Sequence, residues 1–110
     1  MANVFETFAS RSVGNSLTAV GGHTVAGGTT ETVIGLTVSN ITGSAVNVTV
    51  AYNDGANDTR IVKDAPVPAG GALTPIGGDQ KIVLTVGDSI KVSSNTASSI
   101  DAVMSVLQQT

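Results

Sequence analysis

The sequence predicts an all-β protein: one antiparallel β-sandwich of about seven to nine short strands, Ig-like or jelly-roll-like. The β-branched residues Val, Ile and Thr number 16, 7 and 14, against 5 Leu and 2 Glu, and this composition favours strands. Apolar and polar residues alternate in several segments that are separated by Gly, Asn, Asp or Pro. Aromatic residues make up only 3% of the chain, so its core must consist of small side chains, which suit a thin sandwich. A chain of 110 residues is expected to form a single domain over residues 1–110.

The N-terminal third is the least regular part of the sequence. Residues 17–20 and 23–26 are predicted as two short strands on either side of a double glycine. Residues 1–15 have an alternative interpretation, an arm that orders only on a neighbouring molecule. Phe5 and Phe8 suggest it, because two of the three aromatic residues then lie close to a terminus.

Alternation is clearest over residues 32–40, which we predict as a strand. Its opposite face is predicted to carry Val33. Residues 46–52 repeat the same period, so we predict that the two segments form a hairpin. The core-facing side chains of the first segment are predicted to be Ile34, Leu36 and Val38.

The middle of the chain contains strong turn signals. Residues 53–58 are predicted as a surface loop that leads into a strand over residues 59–63. Pro66 and Pro68 are predicted to end regular pairing. Residues 72–76 are predicted as a weak edge strand, because they include a proline that cannot donate to a ladder.

Three further elements follow in the C-terminal third. Residues 77–79 are predicted as a turn. Residues 81–86 and 90–92 flank a Gly-Asp pair, and we predict that they form a second hairpin. Residues 100–107 fit both helical and strand spacing, and we choose a strand because Val and Ile dominate the segment.

Charge argues against two classes of partner. The net charge is −3, and the five Lys and Arg residues are scattered, so we expect neither a basic stripe nor direct nucleic-acid binding. No apolar run is long enough to span a membrane, and no export signal is recognised, so no membrane partner is expected. Charged residues make up 12% of the chain, about half the usual fraction. A surface with so little charge is expected to pack against copies of itself or a partner.

The residues supply no catalytic constellation, so we do not expect an enzyme. His23 is interpreted as a loop histidine, because the chain has no cysteine and no nucleophile-elbow motif. Asp54, Asn57 and Asp58 form the densest group of oxygen ligands, and calcium is the cation that such oxygens could take. Ordinary turn chemistry is the preferred interpretation, so no metal or cofactor is expected.

Several other polar or aromatic residues receive structural interpretations. Asp79 and Asp88 lie beside glycines in predicted turns, and Tyr52 continues an apolar strand face, which favours a core or rim position. The glycosylation sequons at Asn40, Asn47 and Asn57 are interpreted as chance matches in a Thr-rich chain.

A set of segments between residues 32 and 107 resembles small virion structural proteins of tailed bacteriophages, particularly cyanophage-like ones. The most distinctive parts are the proline and double-glycine connector and the Gly-Asp turn. The segments that carry the resemblance are residues 32–40, 46–52, 64–71, 77–81 and 86–94.

The resemblance implies a capsid decoration, or cement, protein on the outside of a virion. The implied partners are the major capsid protein and copies of the chain itself, as a homotrimer, and no catalytic residues come with the resemblance. The alternative is a tail or baseplate component that binds host-surface glycans. The candidate interface residues are Phe5, Phe8, Leu73 and Ile76.

Overall fold

The chain folds into two antiparallel sheets that pack face to face, and the computed structural model describes residues 3–77 and 80–110. These residues form nine strands and one short 3₁₀ turn, Val20–Gly22. The all-β sandwich predicted from the sequence is confirmed. The strands are β1 Asn3–Val13, β2 Thr18–Ala19, β3 Thr30–Asn40, β4 Val46–Asn53, β5 Asp58–Val67, β6 Ala72–Ile76, β7 Ile82–Leu84, β8 Ser89–Ser94 and β9 Ile100–Gln109.

Most strand pairs join segments that are distant along the chain. Sheet A has the order β1-β9-β3-β6, with β7 also paired to β3, and sheet B has the order β2-β8-β4-β5. Among the described strands, only β4 and β5 are both consecutive in sequence and hydrogen-bonded to each other. The fold therefore depends on long-range pairing more than on hairpins.

The core lies between the two sheets and consists of aliphatic side chains. Eleven of its 18 buried members are valines, in agreement with the small-residue core that the composition predicts. Alternation accounts for this arrangement, since every second residue of a strand points to the same face. The largest apolar side chains in the core are Leu36, Ile76, Leu84, Ile90, Ile100 and Met104.

Both hairpins predicted from the sequence are wrong. β3 belongs to sheet A and β4 to sheet B, so the turn between them carries the chain from one sheet to the other. The Gly-Asp turn does the same between β7 and β8. Turn residues show only that the chain reverses, and a reversal inside one sheet looks in sequence like a reversal across the core.

Asp88 holds the Gly-Asp segment in its turn. Its Oδ2 accepts hydrogen bonds from the Thr85 backbone N–H at 2.9 Å and from the Tyr52 hydroxyl at 2.8 Å. The backbone N–H of Asp88 donates to the Thr85 carbonyl at 3.0 Å, while Gly87 adopts a φ of 86°. One buried carboxylate thus closes the turn and ties it to the end of β4.

Strand β3 contains an irregularity that corrects the predicted core face. Its register against β9 shifts between Val33 and Gly35, so the inward positions before the shift are odd-numbered and those after it are even-numbered. Val33 is therefore buried, and Ile34 is only half-buried. Simple alternation through the strand cannot detect this extra residue.

The remaining strands agree largely with prediction. The C-terminal segment is a strand, β9, whose inward residues Ile100, Ala102, Met104 and Val106 are buried. The edge strand predicted over residues 72–76 is β6. β5 continues past its predicted end, and Pro66 pairs with Asn47, because a proline is tolerated on an edge strand.

The N-terminal region differs more from expectation. Residues 18–19 form the very short β2, whereas residues 23–26 are not a strand. β1 pairs with β9 in continuous register from Asn3 to Ser10. Residues 3–13 therefore lie within sheet A of the same chain. The predicted turn at residues 77–79 lies partly outside the described residues, since Gly78 and Asp79 are not among them.

Candidate interaction surface

Over its regularly paired residues, the outer face of sheet A carries one charged side chain, while the exposed Arg11 lies in the irregular stretch of β1 between Ser10 and Val13. Residues directly opposite each other in an antiparallel pair point to the same side, so the register identifies which side chains face outward. Asp101, at one end of this face, accepts a hydrogen bond from the Ser12 backbone N–H at 2.9 Å and is the one charged member. We call the following set the neutral face: Asn3, Phe5, Thr7 and Ala9 of β1; Thr30, Thr32, Gly35, Thr37 and Ser39 of β3; Val83 of β7; and Asp101, Val103, Ser105, Leu107 and Gln109 of β9.

An apolar row crosses the neutral face from one edge of the sheet to the other. Phe5 lies opposite Leu107, Leu107 lies opposite Thr32, and Thr32 lies opposite Val83. Phe5 is 73% exposed, Val83 is 58% exposed, and Val103, in the same strand as Leu107, is 47% exposed. Exposed apolar side chains that line up in this way are typical of surfaces that become buried against another molecule.

Sheet B also carries charge, most of it on the edge strand β5. Arg60 and Lys91 both lie opposite Ala51 on its outer face, and β5 carries further charges, including Lys63 and Asp64. Ala51 is nevertheless fully buried, which fits coverage by the aliphatic stems of its two long neighbours. The outward positions of the regularly paired residues therefore differ in charge between the two sheets, and the neutral face is the better suited to close packing.

The four predicted interface residues lie in different environments. Phe5 is the most exposed of the large apolar residues described. Phe8 and Leu73 are only partly exposed and pack against the core. Ile76 is fully buried opposite Leu36, so it belongs to the core and not to a surface. Val83 and Val103 were not predicted as interface residues, although their outward positions in alternating strands were a usable signal.

His23 is not the simple loop residue that the sequence indicated. Its Nε2 lies 2.6 Å from Oε2 of Glu31, whose side chain is fully buried, and the same oxygen accepts a hydrogen bond from the Gln108 side-chain amide at 3.0 Å. The imidazole ring stacks on Phe8 with the ring centroids 3.8 Å apart and the planes at 10°. The contact is an ion pair when the imidazole is protonated and a hydrogen bond when it is neutral.

This cluster joins β1, β3, β9 and the segment after the 3₁₀ turn. Oε2 of Glu31 has two donors, but its Oε1 is buried with no hydrogen-bond partner in the described residues. A carboxylate in such a position depends strongly on His23 and Gln108 for compensation of its lost hydration. No serine hydroxyl of the described residues hydrogen-bonds to the imidazole. The arrangement serves to fasten β1 to the core.

The oxygen-rich loop has the local role that the sequence favours. Oδ1 of Asp54 accepts hydrogen bonds from the backbone N–H groups of Ala56 at 3.0 Å and Asn57 at 2.8 Å. Those backbone hydrogen bonds lower the pKa of Asp54. The Asn53 amide donates to Asp58 at 2.7 Å, so two further side chains of the loop are engaged with each other.

Tyr52 is also engaged internally. Its hydroxyl donates to Asp88, and this hydrogen bond is the main cause of the raised pKa of Tyr52, with partial desolvation and the carboxylate charge adding to it. The ring packs against the core at the rim of the sandwich, as the sequence predicted. In the described part of the chain no pocket is found, and no group of three or more His, Cys, Asp or Glu residues is placed to hold a metal ion.

Asn40 is an important residue whose role the sequence did not reveal. Its Nδ2 lies 2.8 Å from the Ser44 carbonyl oxygen, 3.1 Å from that of Val67 and 3.2 Å from that of Pro68. Its Oδ1 accepts a hydrogen bond from the Thr42 backbone N–H at 2.9 Å. This buried amide therefore joins the two connections, β3 to β4 and β5 to β6, by which the chain passes between the sheets.

Comparison with known proteins adds no assignment: no protein-family model, curated protein or solved structure matches the chain. Within residues 3–77 and 80–110, no helix is long and apolar enough to cross a membrane. The class that the fold defines is an all-β antiparallel sandwich of two sheets.

Proposed function

We propose that the protein is a bacteriophage virion structural protein, a capsid decoration protein that binds the outside of the assembled shell of major capsid protein and stabilises it. The neutral face is the observation that carries the proposal. This face has an exposed apolar row. Among the regularly paired residues of sheet A that form the face, only Asp101, at one end, is charged. The resemblance in sequence to small phage virion proteins supplies the kind of partner.

The physical role follows from mass action. A subunit that binds the assembled lattice more tightly than it binds free capsomers stabilises the lattice by the difference in binding free energy. A decorated shell has many equivalent sites, so a modest contact at each site gives a large total effect. A rigid sandwich suits this role because its binding face is already ordered before it meets the shell.

A charge placed on the neutral face tests the proposal directly. Val103→Lys puts an ammonium in the middle of the neutral face, and the matched control, Val86→Lys, changes the same residue type at an exposed position outside the sheets. Val103 is 47% exposed and Val86 is 62% exposed, so both variants are expected to fold. The assay is binding to undecorated shells, together with the temperature at which the shells disrupt.

We expect the unmodified protein and Val86→Lys to bind the shells and raise their disruption temperature, and Val103→Lys to bind at least about tenfold more weakly. Unmodified protein that neither binds nor stabilises the shells would rule out the decoration role. Equal binding by the two variants would show that the shell contacts a different surface.

Self-association is part of the proposal, and the homotrimer predicted from the sequence stays a prediction. A tail or baseplate module that binds glycans also stays a prediction, because no specific contact among the described residues favours it. Antibody labelling of intact virions separates a capsid position from a tail position.

A further inference from the structure

We infer that two copies of this chain associate by antiparallel pairing of their β1 strands, centred on Phe5. The inference deepens the self-association part of the proposed function: it names a two-fold contact between two copies, in place of the predicted homotrimer, and it needs no virus particle. Its basis is a comparison of the edges of the two sheets, because an unpaired edge strand is a template for pairing with another chain unless something blocks it.

Most edges of the sandwich are protected. β2 has 2 residues and β7 has 3, so each offers few backbone groups. β6 has 5 residues, one of which is Pro75. β5 is longer, but it carries Arg60 and Lys63, a residue with positive φ at Asp64, and a proline. Short length, proline, charge and irregular register are the devices that prevent edge-to-edge association.

β1 lacks these devices over its first part. From Asn3 to Ser10 it pairs with β9 without interruption, and this stretch contains no proline and one charged residue, Glu6. No backbone hydrogen bond beyond those to β9 is found for residues 3–10. Half of its backbone N–H and C=O groups therefore point to the open side of the sheet.

The 3₁₀ turn limits the free part of this edge to residues 3–7. Gly21 lies so close to β1 that a Cβ added to it would be 2.9 Å from the Cβ of Phe8 and 3.2 Å from the backbone nitrogen of Ala9. Its backbone N–H donates to the Ser10 hydroxyl at 2.7 Å. Residues 3–7, about 17 Å of extended chain, are left for a partner.

Symmetry then selects the register. Two copies that pair antiparallel about a two-fold axis keep the same face of the sheet outward. Each odd-numbered residue therefore lies opposite an odd-numbered residue of the other copy, and each even-numbered residue opposite an even-numbered one. Pairing centred on Phe5 uses the whole free segment: Phe5 meets Phe5, Asn3 meets Thr7, and Val4 meets Glu6. The aromatic pair lies on the neutral face, where Phe5 is now 73% exposed. Centring on Glu6 would instead put two carboxylates directly opposite each other.

A second copy is favoured over an unrelated strand because the segment is self-complementary in this register. The pairing also joins the two neutral faces into one continuous surface, with no charged residue at the junction on the outer side. Five residues from each copy form a small interface, below about 1,200 Å² in total, so the dimer is expected to be weak and concentration-dependent.

The oligomeric state is measured by sedimentation velocity over a range of concentrations up to about 0.5 mM, since small interfaces often dissociate in the micromolar to millimolar range. We expect a monomer–dimer equilibrium for the unmodified chain. Phe5→Lys should raise the dissociation constant at least about tenfold, because a lysine on an edge opposes pairing. Val83→Lys, at the far side of the same face, should leave it unchanged.

Cysteine cross-linking tests the register, and the natural chain contains no cysteine to interfere. The double variant Asn3→Cys/Thr7→Cys should form a disulfide-linked dimer under mild oxidation, whereas Thr7→Cys alone and Val83→Cys alone should form no disulfide-linked dimer. Efficient cross-linking of Thr7→Cys alone would overturn the register. An unmodified chain that stays monomeric at all concentrations, forms a trimer, or dimerises no better than Phe5→Lys would overturn the inference. Shell binding by such a monomer would leave the decoration role intact.

Discussion

Replacing Asn40, the last residue of β3, with alanine should strongly destabilise the fold. The change removes an amide nitrogen that lies within 3.2 Å of three carbonyl oxygens, those of Ser44, Val67 and Pro68, and an oxygen that accepts from Thr42 at 2.9 Å. Asn40 is only 2% exposed, so water cannot reach all of these partners without the connections moving apart.

The magnitude follows from the hydrogen bonds that the substitution removes. Each hydrogen bond contributes about 0.5–1.5 kcal/mol net, and a buried carbonyl left without a donor costs about as much again. Some of the freed carbonyls lie near solvent and regain water, so the expected loss is about 2–4 kcal/mol of unfolding free energy. A chain of this size loses about 4 °C of Tm per kcal/mol, which gives a fall of about 8–16 °C.

The assay is urea denaturation followed by circular dichroism, with calorimetry for the Tm. Asn47→Ala is the matched control, because Asn47 is the asparagine of another Asn-x-Thr triplet, and its side-chain amide makes no hydrogen bond within the described residues. We expect the control to change the unfolding free energy by less than about 0.5 kcal/mol.

A second variant separates the two halves of the amide. Asn40→Asp keeps the oxygen that accepts from Thr42 but replaces the donor with a negatively charged oxygen beside three carbonyl oxygens. It should destabilise at least as much as Asn40→Ala at neutral pH, because a buried charge without donors is costly. If Asn40→Asp is as stable as the unmodified chain, or Asn40→Ala matches its control, the amide does not hold the two connections together.

Three further outcomes are expected. Leu84→Ala should lower the unfolding free energy, measured by urea denaturation, by about 2–5 kcal/mol, because Leu84 is fully buried. Val83→Ala, at the neighbouring position that is 58% exposed, should lower it by less than about 0.5 kcal/mol. Equal losses would mean that the inward face of β7 is misassigned. The raised pKa of Tyr52 means that the folded state holds the phenol proton more tightly, so stability should fall as pH rises above about 10, and Tyr52→Phe should remove that part of the slope in a pH series of urea midpoints. His23→Ala should cost about 3 kcal/mol by leaving the carboxylate of Glu31 under-compensated, and the double variant with Glu31→Leu should recover part of the loss; a double variant less stable than His23→Ala would contradict this.

Local patterns predicted the strands well but failed to predict which strands pair. Alternation identified β4 and β9 with their buried faces. Each of these strands buries one side, so apolar residues recur at every second position of the sequence. It failed in β3, where one extra residue between Val33 and Gly35 shifts the inward positions from odd-numbered to even-numbered residues. Such a bulge has no necessary sequence signature when the residues around it are all apolar or small.

Turn chemistry failed for a different reason. Asp88 and Gly87 close a tight turn, as their residue types indicate, but the strands that they join enter different sheets. The choice is made by partners far along the chain: β9 and β3 for the first sheet, β4 for the second. In the same way, Glu31 was not recognised as the centre of a buried cluster, because one of its two donors, Gln108, is 77 positions away from it.

The low charge of the composition predicted a surface suited to association, but composition cannot say where that surface lies. The strand register indicates the position of the candidate surface. The same alternation that buries Met104 and Val106 directs Val103 and Leu107 outward, and the residues opposite them in β1 and β3 are all neutral. The outer face of sheet B carries the charged side chains of Arg60 and Lys91, whose aliphatic stems lie beside the buried Ala51. One face of the molecule is therefore well hydrated, and the other can be desolvated at low cost, which is the property that an interaction surface requires.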